Sequence, residues 1–163
     1  MAIRNLRYEG DEILSKKSKP VDEITDKIKE IVNDMIETMH KYDGLGLAAV
    51  QVGILKQIIV IDLYEEDKPV YVLINPKIIS TDGMQVVDEG CLSFPNKFAK
   101  VERPEVITVK ALDINGVEFE LTGTGLLAQA MAHEIDHLQG EVFVNKMIPG
   151  TLEVIKPNQE KDK

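Results

Sequence analysis

From residue 57 to residue 121 the chain reads as strand after strand with no helix between them, and this restricts the fold more than any other feature. Residues 57–63 (QIIVIDL) and 70–74 are short and rich in Val and Ile, separated by a polar loop at residues 64–69. Residues 106–112 alternate toward Asn115-Gly116 and residues 117–121 alternate away from it, which predicts a hairpin closed by a type I′ turn. Consecutive strands of this kind pair in antiparallel or mixed sheets. Helical spacing appears on either side. Ile24, Ile28, Ile31, Val32, Met35 and Met39 predict a helix over 22–42, with Asp22 as N-cap and Gly44 just beyond its end. A second helix is expected over 125–138, between a Thr124 cap and Gly140. Residues 141–146 and 151–155 read as short extended segments around Pro149-Gly150. The expected class is α+β, with antiparallel or mixed sheets around the second helix and an N-terminal helix beside them.

A chain of 163 residues buries about 70% of its unfolded surface, enough for one core and too little for two domains. Residues 1–156 are therefore expected to form a single domain, and the polar stretch 157–163 a frayed tail. The single cysteine excludes an intrachain disulfide and hence a secreted disulfide scaffold. No signal peptide and no run of ~20 apolar residues is visible, so the cytoplasm is the expected compartment. With 19 Lys and Arg against 28 Asp and Glu, the net charge is −9, which disfavours a nucleic-acid partner.

The second helix carries His133-Glu134-Ile135-Asp136-His137, an H-E-x-x-H pattern. At ~100° per residue the two histidines lie one turn apart and about 40° from each other, so both imidazoles can meet one ion. Glu134, at the edge of that face, is placed to handle protons on a metal-activated water. Two histidines do not complete a metal site. Of the remaining candidates, His40 sits in the last turn of the first helix and reads as a surface residue favoured by the helix dipole. Cys91, in Asp88-Glu89-Gly90-Cys91-Leu92-Ser93, sits at a bend. It is either a small buried hydrophobe or the thiolate of a Cys-His-His set with one position open to water. In residues 44–51 (GLGLAAVQ), Gly alternates with Leu, which suits either a tight turn on the core or a strand edge along which a peptide lies.

Taken together, GLGLAAVQ (44–51), EGCLS (89–93) and HEIDH (133–137) followed by Leu138-Gln139-Gly140 resemble, in order and spacing, the three signature motifs of the peptide deformylase family. The resemblance implies an enzyme that removes the formyl group from the N-terminal formyl-methionine of new polypeptides. It implies that Cys91, His133 and His137 bind the metal, physiologically Fe²⁺, with water as fourth ligand. Ligand type alone suggests Zn²⁺, which could occupy purified protein. By the same resemblance, Glu134 is the proton carrier, while the Gln51 amide and the Leu92 backbone N–H stabilise the oxyanion. Leu45 and Gly46 pair with the peptide backbone. Leu45, Val87, Leu126 and the His133 ring form the methionine pocket, and a Glu89–Arg103 ion pair steadies the cysteine segment.

This chain departs from the family pattern at Gln129, where an aliphatic pocket residue is common, at Ala132, where Gln is usual, and at Phe98, often Arg. Leu92 resembles the type 1 group, but residues beyond Pro149-Gly150 read as a short strand and not as that group's long terminal helix. Some relatives dock on the ribosome through a basic terminal helix, so only a transient ribosome contact is expected here. Two other classes compete: an H-E-x-x-H metallopeptidase cutting internal peptide bonds, and a metal-stabilised interaction module. The first lacks a further His after His137, and the second would have to recruit His40 as its fourth ligand.

Overall fold

The computed structural model describes residues 2–155; the expected domain end at 156 and the tail at 157–163 lie outside the described residues. Strands β1 (Gly46–Ala48), β2 (Ile58–Ile61), β3 (Tyr71–Asp82), β6 (Val106–Leu112) and β7 (Glu118–Thr124) form one sheet in the order β1-β2-β3-β6-β7. Strands β4 (Gln85–Cys91), β5 (Phe94–Arg103) and β8 (Glu153–Val154) form a second sheet. All these strand pairings are antiparallel. Helix α1 (Asp26–Lys41) precedes the sheets, and α2 (Leu126–Leu138) packs between them. The expected α+β class is found.

Strand β2 shows why the core closes. Its four residues, Ile-Ile-Val-Ile, are all fully buried, because the sheet is covered on both faces. Ile58 and Val60 pack with Ile31, Val32, Met35 and Met39 of α1, while Ile59 and Ile61 pack with Leu127, Ala128 and Met131 of α2. Side chains alternate across a strand, so one short apolar run serves two helices. Each such side chain contributes roughly 1.5–3 kcal/mol. Ala132 lies in the α2 side of this core. A smaller cluster of Leu14, Phe94, Ala99, Val101 and Phe143 fills the space behind the second sheet.

Several local expectations are corrected. Thr25, not Asp22, caps α1, its hydroxyl accepting from the Ile28 N–H. Asp43, not Gly44, takes the left-handed conformation after it (φ 54°). Helix α2 starts at Gly125 without a side-chain cap, because Thr124 is still paired in β7. The hairpin at Asn115-Gly116 exists, but only Gly116 has positive φ. Asp113 N–H bonds the Val117 carbonyl, and the Asp113 carboxylate accepts from the Asn115 and Val117 N–H groups. This is a three-residue loop with Gly in the left-handed position, not a type I′ turn. The hairpin β4–β5 and the second half of β3 were not anticipated, because charged and exposed residues interrupt their apolar pattern. Residues 143–146 form a short helix, α3 (Phe143–Lys146), not an extended segment, because Phe143 must turn into the core behind β5.

Gly140 ends α2 as expected, with φ 77°, and a Cβ there would stand 2.5 Å from the Ser15 carbonyl oxygen. Both the backbone conformation and the space require glycine. Gly140→Ala should therefore lower unfolding stability by roughly 2–4 kcal/mol, read from the urea midpoint.

Candidate active site

Strand alternation sets up the first half of the site. Glu89 and Cys91 are two apart in β4, so both face α2. The register shifts between Gly90 and Cys91, placing the cysteine at the turn into β5. Such a bulge re-aims a side chain. Helix periodicity sets up the second half, since His133 and His137 stack on the face of α2 that meets this turn, with ring centroids 5.0 Å apart. The Cys91 sulfur lies 3.3 Å from His137 Nε2, and one donor atom from each of Cys91, His133 and His137 falls within 4.8 Å of the others. Tetrahedral coordination by one sulfur and two nitrogens needs donor separations of roughly 3.3–3.6 Å, so the set fits one divalent ion after small adjustments. Both histidines are buried, whereas Cys91 is half-buried at the wall of a cleft of about 530 Å³.

A charged network orients the first imidazole. His133 Nδ1 lies 2.7 Å from Glu89 Oε1, and Arg103 donates to both oxygens of Glu89 through Nε (2.6 Å) and Nη2 (2.8 Å). Arg103 Nη1 also donates to Asp136 (2.6 Å), which accepts from Lys146 as well (2.9 Å). Burial would raise the Glu89 pKa, but the hydrogen bonds from Arg103 and His133 and their charges bring it down to about 2. Glu89 is therefore a carboxylate that can only accept, so His133 Nδ1 carries the proton and Nε2 is left for the ion.

Glu134 faces the cleft, and its Oε1 is buried with no partner among the described residues. Burial, assisted by the charges of Glu89 and Asp136 and opposed by His133, raises its pKa to about 7. Burial also depresses His137 well below the usual histidine range, with the charge of His133 adding to it. For His133, burial acts downward, but the Glu134 charge, the Cys91 hydrogen bond and Glu89 together lift it well above that range.

Gln51 comes from the 3₁₀ turn Ala49–Val52 that follows β1. Its Oε1 accepts from the Ala48 N–H (3.0 Å), which aims Nε2 at Ser93 Oγ (3.1 Å) and the Cys91 sulfur (3.4 Å). Strand β1 is one of the two edge strands of the five-stranded sheet, and it is the one that borders the cleft. A Cβ on Gly46 would meet Glu134 Oε2 at 2.6 Å, so glycine is what lets the carboxylate lie against this edge. Leu45, Gly46, Leu92, Leu126 and Gln129 all border the cleft. Gln129 spends its amide N–H on the Asp88 carbonyl (3.0 Å), so its polar end is tied to β4. Phe98 also lines the cleft, close over Gly90. Val87 pairs with Val101 farther along β4 and is not among the residues that line the cleft. Ser93, Asp136 and Lys146 were not singled out from the sequence. Asp136 stands inside the H-E-x-x-H run, but nothing local signals that it meets an arginine 33 residues away.

Three converging donors, a carboxyl that can exchange a proton and an open cleft make up the constellation of a single-metal hydrolase. The family described as polypeptide deformylase matches residues 3–152. The chain is 49% identical over 162 residues to the peptide deformylase of Lachnoclostridium phytofermentans, covering 99% of each. A crystal structure of a peptide deformylase from Legionella pneumophila superposes with a TM-score of 0.87 at 44% identity, over 91% of this chain and 88% of that one. A peptide deformylase from Synechococcus elongatus in complex with actinonin superposes equally well, at 45% identity over 90% of this chain and 82% of that one. This chain belongs to the polypeptide deformylase family, hydrolases that remove the N-formyl group from polypeptides. The alternative of an internal metallopeptidase gives way to that reading.

Glu89 also makes the site acid-sensitive. Its folded pKa lies below the usual 4.5, so its contribution is complete above about pH 4.5 and is lost as pH falls toward 2, on the order of 3 kcal/mol in all. Glu89→Gln should cost about 3–5 kcal/mol at neutral pH, because Arg103 loses its buried partner. It should also flatten the acid limb of stability between pH 4.5 and 2, measured by urea unfolding across that range.

Proposed function

We propose that Cys91, His133 and His137 hold one divalent ion, Fe²⁺ in the cell with Zn²⁺ as a competing occupant, and that Glu134 carries the protons of deformylation. The observation that carries this reading is the convergence of the three donor atoms beside the buried, unpartnered Glu134 Oε1. When bound, such an ion supplies Lewis-acid polarisation of the formyl carbonyl and makes water more acidic. Glu134 accepts a proton from the attacking water as its oxygen joins the formyl carbon. It then delivers that proton to the amine as the carbon–nitrogen bond breaks, giving formate and a free N-terminus. A carboxyl whose pKa stands near 7 can do both at neutral pH.

Gln51 Nε2 and the Leu92 N–H serve as donors to the oxyanion, each worth ~3–4 kcal/mol when lost. The peptide lies extended beside Leu45 and Gly46 as an added strand on β1. The formyl-methionine side chain enters the apolar end of the cleft against Leu45, Leu126 and the His133 ring, with the stem of Gln129 at its border. Substrates are nascent chains, which brings the enzyme transiently to the ribosome in the cytoplasm. No helix among the described residues is long and apolar enough to cross a membrane.

Glu134→Gln should retain stoichiometric metal yet release formate from a formyl-Met peptide at least ~100-fold more slowly. A rate near wild type would remove Glu134 from this role. Chelation should abolish activity, and anaerobic addition of Fe²⁺ should restore more of it than Zn²⁺ does, with metal content read by elemental analysis.

A further inference from the structure

The first residues of the cleft-bordering edge are held from outside the cleft by a cluster that the reaction does not use. Gly44 and Leu45 lead into β1: Gly44 is buried and its N–H donates to the Met39 carbonyl at the end of α1 (3.0 Å), whereas the Leu45 side chain is half-exposed. The Tyr64 phenol donates to the Gly44 carbonyl (2.8 Å), and the Asp62 N–H donates to the Leu45 carbonyl (2.8 Å). Asp62 is nearly buried and is braced twice. One carboxylate oxygen lies 2.7 Å from His40 Nε2, and the other accepts from the Tyr64 N–H (2.8 Å). The His40 and Tyr64 rings lie 5.8 Å apart, so the last turn of α1, the end of β2 and the entry to β1 are tied together. On its other side Gly44 is pressed by Leu92, whose Cδ1 would stand 2.6 Å from a Cβ there.

Tyr64 adopts φ 57°, a conformation costly for a bulky residue, and this turns the chain so that its phenol reaches back to Gly44. Burial and the charges of Asp62 and Asp43 keep that phenol above its usual pKa, so it remains a donor.

We propose that Tyr64, braced by Asp62 and His40, is a positioning residue that fixes Gly44 and Leu45, the bend that leads into β1, and so sets the edge at Gly46 against which the substrate backbone pairs. His40 is thus more than a surface histidine at a helix end. The proposal rests on the reading that the peptide adds to β1 as a strand. An edge already set in its bound shape binds more tightly because less ordering is left to the moment of binding.

The test compares wild type, Tyr64→Phe and His40→Gln on formyl-Met-Ala-Ser and on versions N-methylated in turn at each amide after methionine, which removes one pairing N–H. Tyr64→Phe should raise KM for the parent peptide about 3- to 10-fold with kcat within about twofold, the span expected for one lost hydrogen bond. It should raise KM less than about twofold for the N-methylated peptide that wild type binds worst. His40→Gln, which keeps the phenol but loosens Asp62, should give a smaller KM rise in the same direction. If wild type discriminates against N-methylation but both variants keep the wild-type KM, the positioning role is overturned while strand pairing stands. If wild type does not discriminate at all, strand pairing fails and the positioning role with it. An equal KM rise on parent and N-methylated peptides, or a fall in kcat alone, also overturns the role.

Discussion

The bidentate pair between Arg103 and Glu89 is the contact on which the site depends. Both side chains are almost fully buried, and the pair joins the β4–β5 hairpin to α2 through His133 and Asp136. Two charges taken out of water are costly, and their mutual attraction recovers that cost only with good geometry and full hydrogen bonding. Here every oxygen of Glu89 is engaged, and Arg103 uses three nitrogens. The return is positional. One carboxylate fixes which imidazole nitrogen carries the proton and holds the strand that ends in Cys91 at the level of the histidines.

The same arrangement explains why a cleft with so much apolar wall can run hydrolysis. Leu45, Leu126, Ala130 and Phe94 supply apolar wall, while Arg103 and Asp136 stand outside the cleft and reach it through Glu89 and His133. Field from Glu89 and Arg103 therefore reaches the reacting centre through His133. Glu134 faces the cleft with one buried oxygen that has no partner among the described residues, and Gly46 makes room for it. A low-dielectric wall and one unsatisfied carboxyl beside three converging donors are what the proposed proton transfer would require.

Much of the site was legible because its signals are local. His133, Glu134 and His137 are fixed by helical period, Gly46 and Gln51 by a short motif, and Cys91 by being the only thiol. The helix and strand classes followed from spacing for α1, α2, β2, β6 and β7. The β4–β5 hairpin was not legible, since charged Glu89 and Arg103 take buried positions and leave few apolar residues to mark the inward face, and its stability comes from facing α2 and the Phe94–Phe143 cluster. Alternation sets which face of the strand a residue such as Val87 occupies, but not how far along that face the cleft extends.

The sequence by itself determined the α+β class and brought Cys91, His133 and His137 forward as candidate donors, because these depend on residue type and on periods of two and 3.6. Tertiary structure alone decided that Asp136 meets Arg103, that Gln51 turns its amide nitrogen toward Cys91, and that His40 and Tyr64 converge on Asp62. The His40–Asp62, Asp136–Arg103 and Gln51–Cys91 contacts join residues 22, 33 and 40 positions apart, and their distances are set by how sheets and helices stack, which no local pattern encodes.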